Sequence, residues 1–183
     1  MIIGITGNSG SGKTTLARQI QKEKREVHID VDKIAHKVLL KDEVKEELVK
    51  IYGKKIIQMN EVERKYLREI VFQSRNEMKR LSSVIWKYME IEIDNIINNN
   101  KDKIIIIDWI LLPKTKYFNN CDIKILIDIP YSIRKDRVLK RDQIEKDIFI
   151  LREKASISYQ NNEFDFILND LSKEKTKRLM KQL

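Results

Sequence analysis

The chain opens on an apolar strand that runs directly into a glycine-rich loop: Met1-Ile2-Ile3-Gly4-Ile5-Thr6, then Gly7-Asn8-Ser9-Gly10-Ser11-Gly12-Lys13-Thr14. The loop matches the pattern G-x-x-x-x-G-K-[ST] in full. A β-favouring run precedes it and a helix-competent segment follows from Thr15, with Leu16, Ala17 and Ile20 on the inner side. Glycines let the backbone curl so that successive N–H groups point inward around an anion. A helix beginning at about Lys13 adds its positive dipole end to that field. Lys13 then reaches the β- and γ-phosphates of a nucleoside triphosphate, and Thr14 supplies an oxygen to Mg²⁺. Gly7, Asn8, Ser9, Gly10, Ser11, Gly12, Lys13, Thr14 and Thr15 are the expected nucleotide cradle.

Four further segments read as strands of the same buried sheet: Glu26–Asp30, Lys103–Asp108, Ile123–Ile129 and Phe164–Leu168. Each is short, rich in Ile, Val or Phe, and separated from the next by helical pattern. Strands alternating with helices predict an α/β fold, a three-layer α/β/α arrangement with a five-stranded parallel sheet. The stretch from Asp32 to Asp102 is too long for one crossover helix. Val44, Leu48 and Ile51 recur there at helical spacing before a Tyr52-Gly53 break. A longer pattern follows, with Leu67, Ile70, Val71, Met78, Leu81, Ile85, Tyr88 and Met89 on one face. Residues 42–100 are therefore expected to form a helical insertion within one domain spanning 1–183. Beyond Pro130, Ile144, Ile148, Leu151, Ala155 and Tyr159 share one helical side, and Leu171–Leu183 reads as a closing basic helix.

With 183 residues, 42% hydrophobic and 36% charged, the chain is long enough for one well-cored domain. Its longest apolar stretch, Ile104–Leu112, is broken by Asp108 and too short to span a bilayer. A single cysteine, Cys121, excludes an intrachain disulfide, and the chain begins on a core strand, so no signal peptide and a cytoplasmic location are expected. The net charge of +9 is spread along the whole chain, which does not single out nucleic acid as a partner.

Asp30 and Asp32 follow the second strand, at the carboxyl end where ligands bind in doubly wound sheets. A carboxylate there can take the proton of an attacking hydroxyl or hold a magnesium-bound water. Asp30 fits a turn or helix N-cap equally well. Asp108 caps Ile104-Ile105-Ile106-Ile107, a position that supports a Mg²⁺ shell. Arg134, Arg137 and Arg141 fall on one helical face after Pro130. Arg137 and Arg141 are read as partners of the transferring phosphoryl group, Arg134 as part of a solvated face. His28 and His36 lack cysteine company, so no zinc site is expected.

In order, these motifs resemble the dephospho-CoA kinase family, P-loop kinases of the nucleoside monophosphate kinase type. Ile29-Asp30-Val31-Asp32-Lys33-Ile34-Ala35-His36 is similar to the family's Asp-Ala-Asp-x-Ile-Ala segment. Tyr52-Gly53-Lys54-Lys55-Ile56-Ile57 and Arg64-x-x-Leu67-x-x-Ile70-Val71-Phe72 look like its Gly-x-x-Ile-Leu and Arg-x-x-Leu-x-x-x-Val-Phe runs. Asp108-Trp109-Ile110-Leu111-Leu112 resembles Asp-x-Pro-Leu-Leu, and Arg137-x-x-x-Arg141 with Arg152 resembles the lid. Phe164-Asp165-Phe166-Ile167-Leu168-Asn169 resembles its closing segment, which makes Asn169 a nucleotide-binding position. The resemblance implies transfer of the ATP γ-phosphoryl group to the 3′-hydroxyl of dephospho-CoA, with Asp32 as base, 42–100 as the CoA-binding part and 131–155 as the lid. Departures fall on the acceptor side: Ile85-Trp86-Lys87 where His-Pro is usual, Pro113-Lys114 after Leu112, and Ser156 where glutamine is expected. The competing readings are a kinase of another nucleoside-like acceptor and a nucleotide-binding regulatory ATPase.

Overall fold

The structure is a computed structural model. It describes the chain except residues 24–25, 72–73, 155 and 161, together with the side chains at 22, 23, 64, 68, 71, 75, 151, 152 and 154. The expectations placed on Arg64, Val71, Phe72, Leu151, Arg152 and Ala155 lie outside the described residues and side chains. Along the chain run β1 (Ile2–Thr6), α1 (Lys13–Glu23), β2 (Val27–Asp30), α2 (Val31–Val38) and α3 (Asp42–Tyr52). A 3-10 turn (Lys54–Ile56) leads to β3 (Ile57–Gln58), β4 (Glu61–Val62), α4 (Arg64–Val71) and α5 (Arg75–Asn98). Then come β5 (Ile105–Asp108), a 3-10 turn (Leu112–Lys114), α6 (Lys116–Asn119), β6 (Ile123–Ile127) and α7 (Tyr131–Asp142). The chain closes with α8 (Lys146–Lys154), β7 (Phe166–Leu168) and α9 (Lys173–Met180). Two compact units result, Met1–Asp30 with Asn100–Leu183, and Val31–Asn99.

The first unit is built on a five-stranded sheet in the order β2-β5-β1-β6-β7. Every pairing is parallel. Central strands of a parallel sheet are covered on both faces, so they read as continuous apolar runs. Ile105, Ile106, Ile107 and Asp108 of β5 are all buried accordingly. Ile3, Ile5, Ile106, Ile125 and Ile127 pack with Leu16, Ala17 and Ile20 of α1 and Leu179 of α9. The five predicted strands are thus all present, each trimmed by one or two residues. Because β1 sits between β5 and β6, a crevice opens beyond its carboxyl end, where the chain enters the glycine loop.

The second unit is helical. Its core includes Val31, Ile34, Val38, Val44, Leu48, Ile56, Val62, Leu67, Val84, Met89 and Ile93. α2, α3 and α4 all pack against α5. The long apolar pattern read from the sequence divides into two helices, because the Ser74 hydroxyl accepts from the Glu77 N–H and caps α5. The buried α5 residues are Val84, Met89 and Ile93, whereas Met78 is 40% exposed, which corrects the predicted face by one helical step. A small antiparallel hairpin, β3 with β4, went unpredicted. Its turn residues Met59 and Asn60 both have positive φ, as a two-residue hairpin turn requires, but without the glycine that marks such turns in sequence. In the first unit, α8 turns Phe149 inward and leaves Ile148 exposed, the reverse of the expected face.

Candidate active site

β1 delivers the buried Thr6 to the start of the loop, and α1 begins at Lys13 as the sequence predicts. Two glycines cannot be replaced without rebuilding the loop. Gly7 has φ +147, and a Cβ there would lie 2.4 Å from the Ile127 carbonyl oxygen. Gly10 has φ +77, with the Arg134 carbonyl oxygen 2.6 Å from its would-be Cβ. Both obstacles are backbone, so no rotamer change relieves them. The Ser11 N–H donates to the Asn8 carbonyl at 3.1 Å and tightens the turn, and the Lys13 ammonium donates to the same oxygen at 3.4 Å. The Ser11 Oγ and Asn8 Oδ1 are buried with no hydrogen-bond partner, which leaves polar atoms inside the loop for a ligand to satisfy.

At the edge of the loop, the Thr14 hydroxyl donates to Asp108 Oδ2 at 2.6 Å. Asp108 is only 4% exposed, and His28 Nε2 lies 3.5 Å from the same oxygen. β2 pairs with β5 so that Asp30 stands opposite Asp108 in register. Among the described residues no group of three His, Cys, Asp or Glu side chains could hold a metal. A hydroxyl beside one buried carboxylate is instead an all-oxygen pair suited to Mg²⁺, which takes few protein ligands and completes its shell with water and phosphate. The residues fit that ion.

A cleft of about 510 Å³ adjoins the loop, lined by Gly10, Gly12, Thr15, Arg137, Lys140, Arg141 and Leu171. Arg137 is exposed and donates to the Gly10 carbonyl at 3.3 Å. Arg141 is also exposed and bonds Asp142 at 2.6 and 3.1 Å. Asn169 sits exposed in the bend after β7, two residues before Leu171. Lys140 and Leu171 were missed from sequence; Leu171 could have been found from its place just past the last strand, beside the expected nucleotide position. Asp32 belongs to the first turn of α2, within the helical unit.

Arg134 corrects the sequence reading. It is 6% exposed rather than solvated. Its guanidinium donates to both Glu153 carboxylate oxygens at 2.7 Å, to the Ile129 carbonyl at 2.9 Å and to the Ser9 carbonyl at 3.2 Å. Burial of Tyr159 pushes its phenol up to about 12, and its hydroxyl donates to the Ile110 carbonyl at 3.4 Å, the acceptor that Thr6 Oγ1 also uses at 3.1 Å.

The family model described as dephospho-CoA kinase matches residues 1–173. The dephospho-CoA kinase of Fusobacterium nucleatum is 32% identical over 164 residues, 89% of this chain and 83% of that one. That of Borreliella burgdorferi is 33% identical, covering 95% of this chain and 92% of its own. Among solved structures, a Thermus thermophilus protein superimposes with a TM-score of 0.83 at 22% identity, covering 100% of this chain and 95% of that one. Dephospho-CoA kinase from Campylobacter jejuni gives 0.69 at 24%, covering 99% of this chain and 94% of that one. These structures share the fold. With its loop, its Thr14 hydroxyl bonded to the buried Asp108 and its parallel sheet in place, the chain belongs to the dephospho-CoA kinase family.

Proposed function

We propose that this protein transfers the γ-phosphoryl group of ATP to the 3′-hydroxyl of dephospho-CoA, giving coenzyme A. The observation that carries the reading is the glycine loop leading into α1 with Thr14 bonded to a buried strand-end carboxylate, Asp108, in a chain of this family. In this reading the loop N–H groups from Gly7 to Thr15, apart from the Ser11 N–H that bonds Asn8, hold the phosphates, with Asn8, Ser9, Gly10, Ser11 and Gly12 shaping the cradle. Lys13 stabilises the β- and γ-phosphate charge. Mg²⁺, held by Thr14 and Asp108, would neutralise charge on the β- and γ-oxygens. Arg137 and Arg141, on the wall of the cleft, leave their present acceptors to meet the transferring group. Asp32 accepts the proton of the attacking hydroxyl, and Asn169 contacts the nucleotide. Residues 42–100 receive the acceptor, and 131–155 close as a lid.

The acceptor is a small molecule. Among the described residues no helix is long and apolar enough to cross a membrane. A cytoplasmic location is part of the proposal, supported by Cys121 being an unbridged thiol. The test is ADP release measured with dephospho-CoA beside nucleosides and nucleoside monophosphates. Stimulation by dephospho-CoA above the others is expected; no stimulation by dephospho-CoA overturns the assignment.

A further inference from the structure

We infer that Arg134, clamped by Glu153, is a positioning residue that fixes the direction of a phosphate-binding N–H in the loop. The inference rests on the kinase reading above and concerns a residue to which that reading gives no task.

The geometry is specific. α7 carries Arg134 behind the loop, and α8 carries Glu153, nineteen residues further on. The two parallel 2.7 Å bonds between them are a bidentate fork, which fixes the plane of the guanidinium as well as its place. Two nitrogens of that fixed plane then reach backbone. Nε donates to the Ile129 carbonyl, just past β6, at 2.9 Å. Nη1 donates to the Ser9 carbonyl, inside the loop, at 3.2 Å. The Arg134 backbone also bounds the loop, since its carbonyl oxygen occupies the space a Cβ on Gly10 would need.

Gripping the Ser9 carbonyl has a consequence one atom away. A trans peptide is planar, and its C=O and N–H point in opposite directions. The bonds described here include no cis peptide. Holding the Ser9 oxygen toward Arg134 therefore holds the Gly10 N–H away from Arg134, on the other side of the peptide. With Gly10 at φ +77, this peptide has the freedom to rotate that glycine always brings. A rotated peptide would turn an oxygen where an N–H should meet phosphate. The Ser11 N–H is already committed to Asn8, so the neighbouring peptide cannot substitute.

Lysine could not do this work, because a single ammonium has no plane to hold two carbonyls and a carboxylate at fixed angles. Glu153 has the complementary task. Without it, Arg134 would be a buried charge with only carbonyl partners, and the fork would lose its orientation. The pair thus links the order of α8 to the competence of the loop. When the Ser9–Gly10 peptide spends only a fraction of its time correctly aimed, ATP affinity falls by that fraction.

The experiment is calorimetric binding of Mg-ATP to the full chain, with no acceptor present, at a temperature where each variant is folded. Two variants separate positioning from stability. The double substitution Arg134→Met with Glu153→Leu removes the donor while leaving no unpaired charge, and Arg134→Lys keeps the charge opposite Glu153 but loses the fork. Each should raise the ATP dissociation constant roughly 10- to 100-fold, the effect of losing a charge-assisted bond. In the acceptor assay KM for ATP should rise while KM for dephospho-CoA holds. A purely structural pair would lower the melting temperature and leave ATP affinity within about twofold of the parent in the folded state, which overturns the inference. If the double variant does not fold, Arg134→Lys decides alone. Absence of ATP binding by the parent protein would overturn the kinase reading too, so the two failures are distinguishable.

Discussion

The two units hold their charged groups in different ways. In the sheet unit the ions beside the glycine loop are buried, although Arg141–Asp142 and Lys175–Asp170 lie at its surface: the Arg134 and Glu153 side chains are 7% and 15% exposed, and Asp108 accepts from Thr14 at 2.6 Å. In the helical unit they lie near the surface. Lys41 bonds Glu92 with side chains 37% and 33% exposed, and Glu47 receives Lys87 at 3.2 Å and the Tyr88 hydroxyl at 2.9 Å. A buried ion left without its partner costs several kcal/mol, roughly 3–5, whereas an exposed pair contributes roughly 0.2–1. The sheet unit is thus intolerant of change where the donor nucleotide is expected, and the helical unit can alter its surface at little cost. The sequence departures fall in both units, Trp86 and Lys87 in the helical one and Lys114 and Ser156 in the sheet one, and all of them leave the glycine loop intact.

The largest effect that would break this picture is loss of phosphate charge stabilisation. Lys13→Ala should reduce transfer by on the order of 10³-fold or more, read as coupled ADP release. A variant within tenfold of the parent would remove Lys13 from the proposed role. Asp32→Asn tests the helical unit's one proposed chemical contribution. Turnover should fall by about 10²–10⁴-fold while ATP affinity stays unchanged. Normal turnover would leave that unit with a binding role only.

Gly10→Ala sharpens the comparison through stability. A side chain at φ +77 against the Arg134 carbonyl, 2.6 Å away, is strained by about 1–3 kcal/mol. The melting temperature should drop by roughly 2–12 °C for a chain of this size. Gly53→Ala, in the helical unit, meets nothing within 4 Å and carries only the cost of φ +84, so it should shift the melting temperature less.

How much of this was legible depends on how far apart in sequence the deciding partners are. Fully covered parallel strands are runs of isoleucine whatever surrounds them, so β1, β5 and β6 could be read locally. The glycine loop was legible for the same reason, since its geometry is set by eight consecutive residues. Arg134 was not. Its spacing from Arg137 and Arg141 puts all three on one helix face, and only Glu153, on a different helix, makes one of them buried. The split between α4 and α5 was readable in principle from Ser74 with Glu77 three residues on, a capping box the apolar pattern obscured. The β3–β4 turn carried no glycine to announce it.

Alkaline titration of Tyr159, in the sheet unit, gives a smaller effect. Burial raises the Tyr159 phenol to about 12 from an ordinary value of 10.0. Below pH 10 both folded and unfolded states are protonated, and the stability is fully present. Between about pH 10 and 12 only the unfolded state loses the proton, so stability falls as pH rises, by about 2–3 kcal/mol in total. Cys121, raised to about 12 from 9.0 by burial, adds a loss of the same sign that starts lower. Tyr159→Phe should flatten the decline in urea midpoint between pH 10 and 11. An unchanged slope would mean the hydroxyl is not shielded beside Ile110.

The smallest expected effect is the most direct check on the contrast itself. The Glu92 carboxylate accepts the Lys41 hydrogen bond and raises the ammonium above its usual range, so Lys41 stays charged near neutral pH. Both side chains remain about one-third exposed, and solvent screens their attraction. Lys41→Ala should therefore cost about 0.2–1 kcal/mol, a melting shift of roughly 0.5–4 °C, and molar salt should erase most of it. Breaking the buried pair by Glu153→Gln should cost several times more and respond little to salt, because those charges meet at 2.7 Å with side chains only 7% and 15% exposed. If the two variants instead fell by similar amounts with similar salt dependence, burial would not be what separates the units. The tolerance of the helical unit would then need another cause, most simply the packing of α2, α3 and α4 on α5, which involves no charge at all.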